Sequence, residues 1–591
     1  MKKLRCPPQS ARTAALVLAC LLSAGLGCNG QPAAEPAPPE AAPSTVPVAA
    51  PPPMDDNHAE PATTLPAPEP AVPTPAQLAP AASQPVASPP VASPPAASPP
   101  AAAKPAAAKP AAATDSAPPP RHEPLFVGWP KPSVALFVTG QQHGYIEPCG
   151  CSGLTNQKGG LVRRYTCQQQ LLKQGWDLVA LDVGNQVRRF GRQPEIMFQI
   201  TAEGLEKMHY RAIGFGPDDL RLSAGELIAI TADEGSTGTP FVCANAAIID
   251  RGLTPRFHVI EAGGKKIGVT AVLGADELTK VTSDEILEQP PESALREVWA
   301  ELAKQNCDLH VLLAHTSLEE SARLAQAVPH FQVVVTAGGA GEPTFEAEKI
   351  AGTESLMVQV GTKGMYVGVV GVFADPNQPF RYQRVPLDDR FPDAPEMLQL
   401  LASYQDQLKA AGLEGLGVKP IPYPTDRQFV GSDACEECHD GDYAIWEKTG
   451  HGHALDSLVH PGERSEVPRH FDPECISCHV VGWNSQKHFP YVSGYLGLDE
   501  TPLMHNVGCE SCHGPGSAHV TAENGDDKPS QEQIDQYRAE VRLRLEDAEK
   551  KCQECHDYDN SPDFHAEGAF ETYWKKVEHG KKVEGSAKKS P

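Results

Sequence analysis

Basic residues are scarce in this chain. Lys and Arg together number 50 against 75 Asp and Glu, a formal net charge of −25. No Lys/Arg cluster reaches the size of a nucleic-acid or anionic-lipid surface, so nucleic acid is excluded as a partner class. Long apolar runs are missing too. The best candidate, Thr13 to Leu26, is too short to span a bilayer comfortably. A disulfide framework is also absent: three of the 16 cysteines lie in the first 28 residues, five in the middle, and eight near the C-terminus in one repeated pattern.

That pattern is Cys-x-x-Cys-His, present four times: Cys435 to His439, Cys475 to His479, Cys509 to His513 and Cys552 to His556. The spacing is that of c-type haem, where two thiols form thioethers to the porphyrin and the next histidine reaches the iron. A single Cys-x-x-Cys would suit a redox dithiol or half a zinc site. Four copies, each followed at once by His, predict four covalently bound haems. Cys435, Cys438, Cys475, Cys478, Cys509, Cys512, Cys552 and Cys555 are then the attachment residues, with His439, His479, His513 and His556 as proximal ligands.

Covalent haem is attached outside the bacterial cytoplasm, so an export signal is expected. Lys2, Lys3 and Arg5 precede the short apolar run, which ends in Ala24-Gly25-Leu26-Gly27-Cys28. The ending resembles a lipoprotein signal, which implies a lipid anchor on Cys28, although Gly25 stands where that family prefers Leu. Val17-Leu18-Ala19-Cys20 is a second, shorter fit, and simple signal cleavage the alternative. Residues 29–121 are almost only Ala, Pro, Ser, Thr and Val, too poor in apolar bulk for a core, and read as an extended disordered linker. The expected location is the periplasm or cell envelope.

From residue 122 to 416 short apolar runs alternate with amphipathic segments, the mark of an α/β domain. Expected strands include Ser133 to Val138, Asp177 to Val183, Phe241 to Ala247 and Leu309 to Leu313. Expected helices include Leu161 to Gly175, Pro194 to Met208 and Pro395 to Ala411. The landmarks Thr139 to Tyr145, Gly159 to Arg164, Leu181 to Asn185, Ala212 to Asp219, Ala244-Asn245 and Leu313 to His315 carry a resemblance. They are similar to the metallophosphoesterase domain of bacterial 5′-nucleotidases, which implies a two-sheet sandwich flanked by helices. Active members of that family hold two metal ions with Asp, His and Asn. By that resemblance Gln141 and Asn185 replace two ligand aspartates, Gly216-Pro217-Asp218-Asp219 replaces Gly-Asn-His-Glu, and Ala337 to Ala340 replaces Gly-His-x-His. His143 and His315 alone stand at ligand positions, so an inactive domain without a further metal is expected. The plain reading of either histidine is structural. Cys149 and Cys151, just after His143, suit a soft metal, a redox pair, or simply a surface loop. Cys167, Cys243 and Cys307 read as core residues.

Residues 417–575 form the cytochrome region, expected to be mainly α with little regular structure. Gly431, Trp446, Gly450 to Ala454, Pro473 to Val480 and Val507 to His519 resemble the tetrahaem cytochrome c-554 family. Nine further histidines compete for at most four distal positions, so their number leaves open whether one iron stays five-coordinate. The resemblance and local setting favour His453, His519, His505 and His470. Ser530 and Gln533 have capping-box spacing for a helix over Gln531 to Lys550, and residues 576–591 read as a disordered basic tail. The leading functional expectation is electron transfer to or from a redox partner protein. The alternatives are a redox enzyme acting on a small nitrogen or sulfur compound at a five-coordinate haem, and a metal-dependent phosphoesterase.

Overall fold

The computed structural model describes residues 122–148, 157–232, 238–462 and 465–580. The export signal, most of the linker, Cys149, Cys151 and the last eleven residues lie outside this set.

The strand Val134–Thr139 is buried along its whole length and shows why the α/β region folds as it does. Side chains alternate faces along a strand. Here Ala135 and Phe137 enter one core while Val134, Leu136 and Val138 enter another. A strand covered on both faces reads as a continuous apolar run, which made it legible. Its sheet has the order Phe380–Pro386, Tyr366–Val372, Val134–Thr139, Leu178–Asp182, Tyr210–Ile213. The strands from Val134 to Ile213 are parallel and the outer pair antiparallel.

The second sheet runs Glu348–Lys349, Leu356–Gln359, Val333–Thr336, Leu309–His315, Lys265–Leu273, His258–Ala262. It too is parallel at its centre. Val269, Val311, Leu313, Val333 and Val335 face the first sheet, making the middle core. The helices Leu161–Lys173, Arg192–Lys207 and Pro395–Gly415 cover the outer face of the first sheet. The helices Pro291–Leu302 and Leu318–Ala327 cover that of the second. The result is the expected sandwich of two sheets flanked by helices. Two boundaries differ from expectation. Phe241 makes only an isolated bridge, and the neighbouring strand is Ala246–Ile248. Cys167 and Cys243 are buried and Cys307 half-buried.

The C-terminal region consists of short helices and two tiny strands around one small cluster, which includes Phe429, Leu455, Ile476, Val481 and Tyr495. Ser530 and Gln533 do form a capping box. The helix they start is shorter than expected: it ends at Glu540, and a second one, Leu545–Cys552, follows after a break. The helix Ala569–Val577 continues past Lys575, where order was expected to end. No helix among the described residues is long and apolar enough to cross a membrane.

Candidate haem centre and the neighbouring cleft

Each Cys-x-x-Cys-His sits on a helical turn, which places its two thiols on one face. The first lies in Ser432–Trp446, with His439 at a kink (φ −119°, ψ 39°). The second opens on Pro473–Ile476, whose N-terminus Asp472 caps. The third is the helix Cys509–His513, and the fourth ends Leu545–Cys552. His479 Nδ1 is 2.6 Å from the Ala454 carbonyl, His513 Nδ1 2.8 Å from that of Val541, and His556 Nδ1 3.1 Å from Ser561 Oγ. A backed Nδ1 turns Nε2 toward the metal, the usual arrangement for an imidazole ligand.

Three proximal rings face a second histidine. Ring centres lie 6.4 Å apart for His439 and His519, 6.2 Å for His556 and His451, and 5.7 Å for His513 and His579. A metal holding one imidazole nitrogen on each side at about 2 Å separates ring centres by roughly 6 Å. Burial lowers the pKa of His451, His513, His519 and His556, favouring the neutral ring that ligates. The donor set therefore fits haem iron.

His519, one of the four expected distal candidates, lies across from His439. His453, His505 and His470 do not meet any of these three rings. His453 is 62% exposed beside Asp456, His505 Nε2 lies 3.0 Å from the Leu498 carbonyl, and the His470 ring lies tilted against that of Phe471. The rings across from His556 and His513 are those of His451 and His579. Residues two apart on a helical turn point to different sides, so within Gly450–His453 only one histidine reaches the fourth motif. His579 follows a segment read as a tail, and its reach to His513 is not visible in local sequence.

The thiols also fix the order of the motifs. Cys435 lies against Cys509, Cys512 lies near Cys552, and Cys478 lies against Cys555. The motifs touch as first, third, fourth, second.

The second and fourth motifs abut the α/β region. Asp559, just after the fourth motif, bonds Arg188 at 2.6 Å and Lys363 at 3.1 Å. Arg189 pairs with Glu474 at 2.7 Å, and Gln193 donates to Asp472 at 2.8 Å. Glu147, which is buried, receives Ser465 Oγ and meets Arg469.

Around His143 and His315 the polar side chains that the sequence resemblance aligns with metal ligands bond to the protein itself. Gln141 Nε2 donates to the Ala337 and Gly361 carbonyls, each at 2.8 Å. Asn185 Oδ1 accepts from the Asp218 amide, and the Asp219 carboxyl from the amides of Asn185, Gln186 and Gly216. Asn245 is tied to Leu273 and Gln289, and His315 Nδ1 lies 2.9 Å from the Val183 carbonyl. Burial, with Arg188 adding to it, pushes the His143 pKa down to about 3. Among the described residues one group of three His, Asp or Glu has metal-holding geometry, His122, Asp388 and Asp389, and Arg390 already pairs with Asp388 there.

Residues 434–514 match the family model described as "Cytochrome c554 and c-prime". Cytochrome c-554 of Nitrosomonas europaea is 29% identical over 155 residues, 23% of this chain and 61% of that protein. An apyrase of Aedes albopictus is 23% identical over 308 residues, 47% of this chain and 54% of the apyrase. The chain thus spans little more than half the length of these curated relatives. Among solved structures, a 5′-nucleotidase precursor from Thermus thermophilus aligns with TM-score 0.40 and 19% identity, over 47% of this chain and 59% of that one. The NAD nucleotidase of Haemophilus influenzae aligns with TM-score 0.39 and 13% identity, over 51% of this chain and 64% of that one. The C-terminal region therefore matches a cytochrome c family, which implies covalently bound haem iron. The region before it aligns in part with the apyrase.

Proposed function

Taking the cytochrome c554 and c-prime match over residues 434–514 as premise, we propose that the chain is an exported multihaem cytochrome. It transfers electrons through four haems held by the eight motif cysteines. The observation that carries this reading is the set of facing histidine rings 5.7 to 6.4 Å apart beside the motifs. When bound, the haems supply one-electron carriers. The chain's own task is to hold two imidazoles on an iron so that its ligands barely rearrange as the charge changes. Ala454, Val541 and Ser561 do so by fixing the proximal rings. The abutting thiols support a relay, because a thioether marks the edge of its porphyrin.

The α/β region supports no hydrolysis in this reading: the donors that would hold two metals are spent on backbone partners, leaving His143 and His315. The proposed partner is a redox protein, with membrane association through a lipid anchor at Cys28. The acidic charge speaks against nucleic acid.

Intact mass and a haem count test the premise, with four haems expected and fewer refuting it. Electron paramagnetic resonance tests the ligands. His451→Ala, His519→Ala and His579→Ala should each convert one low-spin haem to high spin, and an unchanged spectrum would remove that assignment. Phosphate-ester hydrolysis with manganese or zinc that vanishes in His143→Ala or His315→Ala would instead favour the phosphoesterase.

A further inference from the structure

The proximal rings of the second and third motifs rest on main-chain carbonyls, those of Ala454 and Val541. The fourth rests on a side chain: His556 Nδ1 lies 3.1 Å from the Ser561 hydroxyl. A carbonyl is fixed by its peptide, whereas a hydroxyl turns about its Cα–Cβ bond and travels with its own backbone. Whatever holds the Ser561 backbone therefore holds the ring.

Residues 557–561 make a tight turn between the two. The Ser561 amide donates to the Asp557 carbonyl at 2.8 Å, and the Asn560 amide to the Asp557 carboxylate at 2.7 Å. At its middle, Asp559 is gripped by the α/β region through both main chain and side chain. Lys363 Nζ donates to the Asp559 carbonyl at 2.7 Å and lies 3.1 Å from its carboxylate. The other carboxylate oxygen is 2.6 Å from Arg188. The Lys363 side chain is 12% exposed, so water screens its part of this grip only weakly.

Both cations stand on loops that the sequence resemblance places around a metal cleft. Arg188 comes three residues after Asn185, and Lys363 two after Gly361, whose carbonyl holds Gln141. His143, Arg188 and Asp559 line one cavity. Two cations there repel a divalent ion and attract a carboxylate.

We propose that Arg188 and Lys363 are positioning residues for the fourth haem: by clamping Asp559 they hold Ser561 against His556. The proposal rests on the four-haem reading. It gives the α/β region a task in the cytochrome that needs no chemistry of its own.

Redox potentiometry and electron paramagnetic resonance of the full-length holoprotein test it. The fourth haem is the low-spin signal lost in His451→Ala. Ser561→Ala removes the acceptor from His556 Nδ1, so the ring gives less charge to iron and the potential of that haem should rise. The rise should correspond to about a two- to tenfold change in its reduction equilibrium, the worth of one hydrogen bond. Asp559→Ala and the double variant Arg188→Gln/Lys363→Gln should move the same signal and raise the same potential, with the other three haems unmoved. Arg188→Lys, which keeps the cation, should stay close to the unaltered protein. If the double variant does not fold, Arg188→Gln alone carries the test. A bare charge effect would drive Asp559→Ala and the cation variants in opposite directions, and that result overturns the proposal. So does a fourth haem unchanged in the clamp variants, or an equal shift in all four haems. Failure of the four-haem reading shows separately, as an intact mass short of four haems.

Discussion

Every residue of the strand Val134–Thr139 is buried, whereas the helix Ser432–Trp446, more than twice as long, buries Ser432 alone. The helices Gln531–Glu540 and Ala569–Val577 bury nothing. The α/β region closes its interior with its own side chains, in three cores that its sheets share with the helices packed on them. The cytochrome region cannot do so from Phe429, Leu455, Val481 and their few neighbours. The rest of its interior has to come from the porphyrins, which makes cofactor attachment part of its folding free energy.

The strongest challenge to that contrast is removal of a haem. In a Cys475→Ser/Cys478→Ser variant, hydrogen exchange should show protection lost by several kcal/mol around the second motif. The strands Val134–Thr139 and Leu309–His315 should keep theirs. Equal loss in both regions would end the distinction. The converse change is Leu312→Ala, at a site with no exposure. It should destabilise the α/β region by about 2–5 kcal/mol in urea unfolding and leave the haem spectrum unchanged.

A smaller effect concerns acid. The folded pKa of His143 is depressed from 6.5 to about 3, so the folded state favours its neutral form. That contribution is complete above pH 6.5 and is lost as the pH falls toward 3, because the unfolded chain takes up a proton the folded one refuses. At pH 5 the loss should be roughly 1–2 kcal/mol, read from melting temperature against pH, and His143→Gln should flatten that slope. Smallest is Asp559→Ala. Its pairs with Arg188 and Lys363 are partly exposed, so the cost should be about 0.5–1 kcal/mol. It should shrink with added salt and be accompanied by a shift in one haem potential.

The α/β region was legible where burial is two-sided or strictly periodic, as in Val134–Thr139 and Leu161–Lys173. Phe241 to Ala247 read as one strand because its residues are apolar, yet it only bridges to Ile213 before the short strand Ala246–Ile248. The motif cysteines and their histidines were readable because haem attachment is local chemistry. The histidines across from them were not. His451 meets the ring of His556, and His579 that of His513, across stretches whose fold no local pattern encodes.

The touching order of the four motifs has a kinetic corollary. The α/β region lies over the second and fourth, while the first keeps Cys438 exposed and the His439 side chain 56% exposed. On the proposed electron-transfer reading, the first motif is open to a protein arriving from solution. If supplier and recipient both dock there, exchange with two proteins should follow ping-pong kinetics in which each competes with the other.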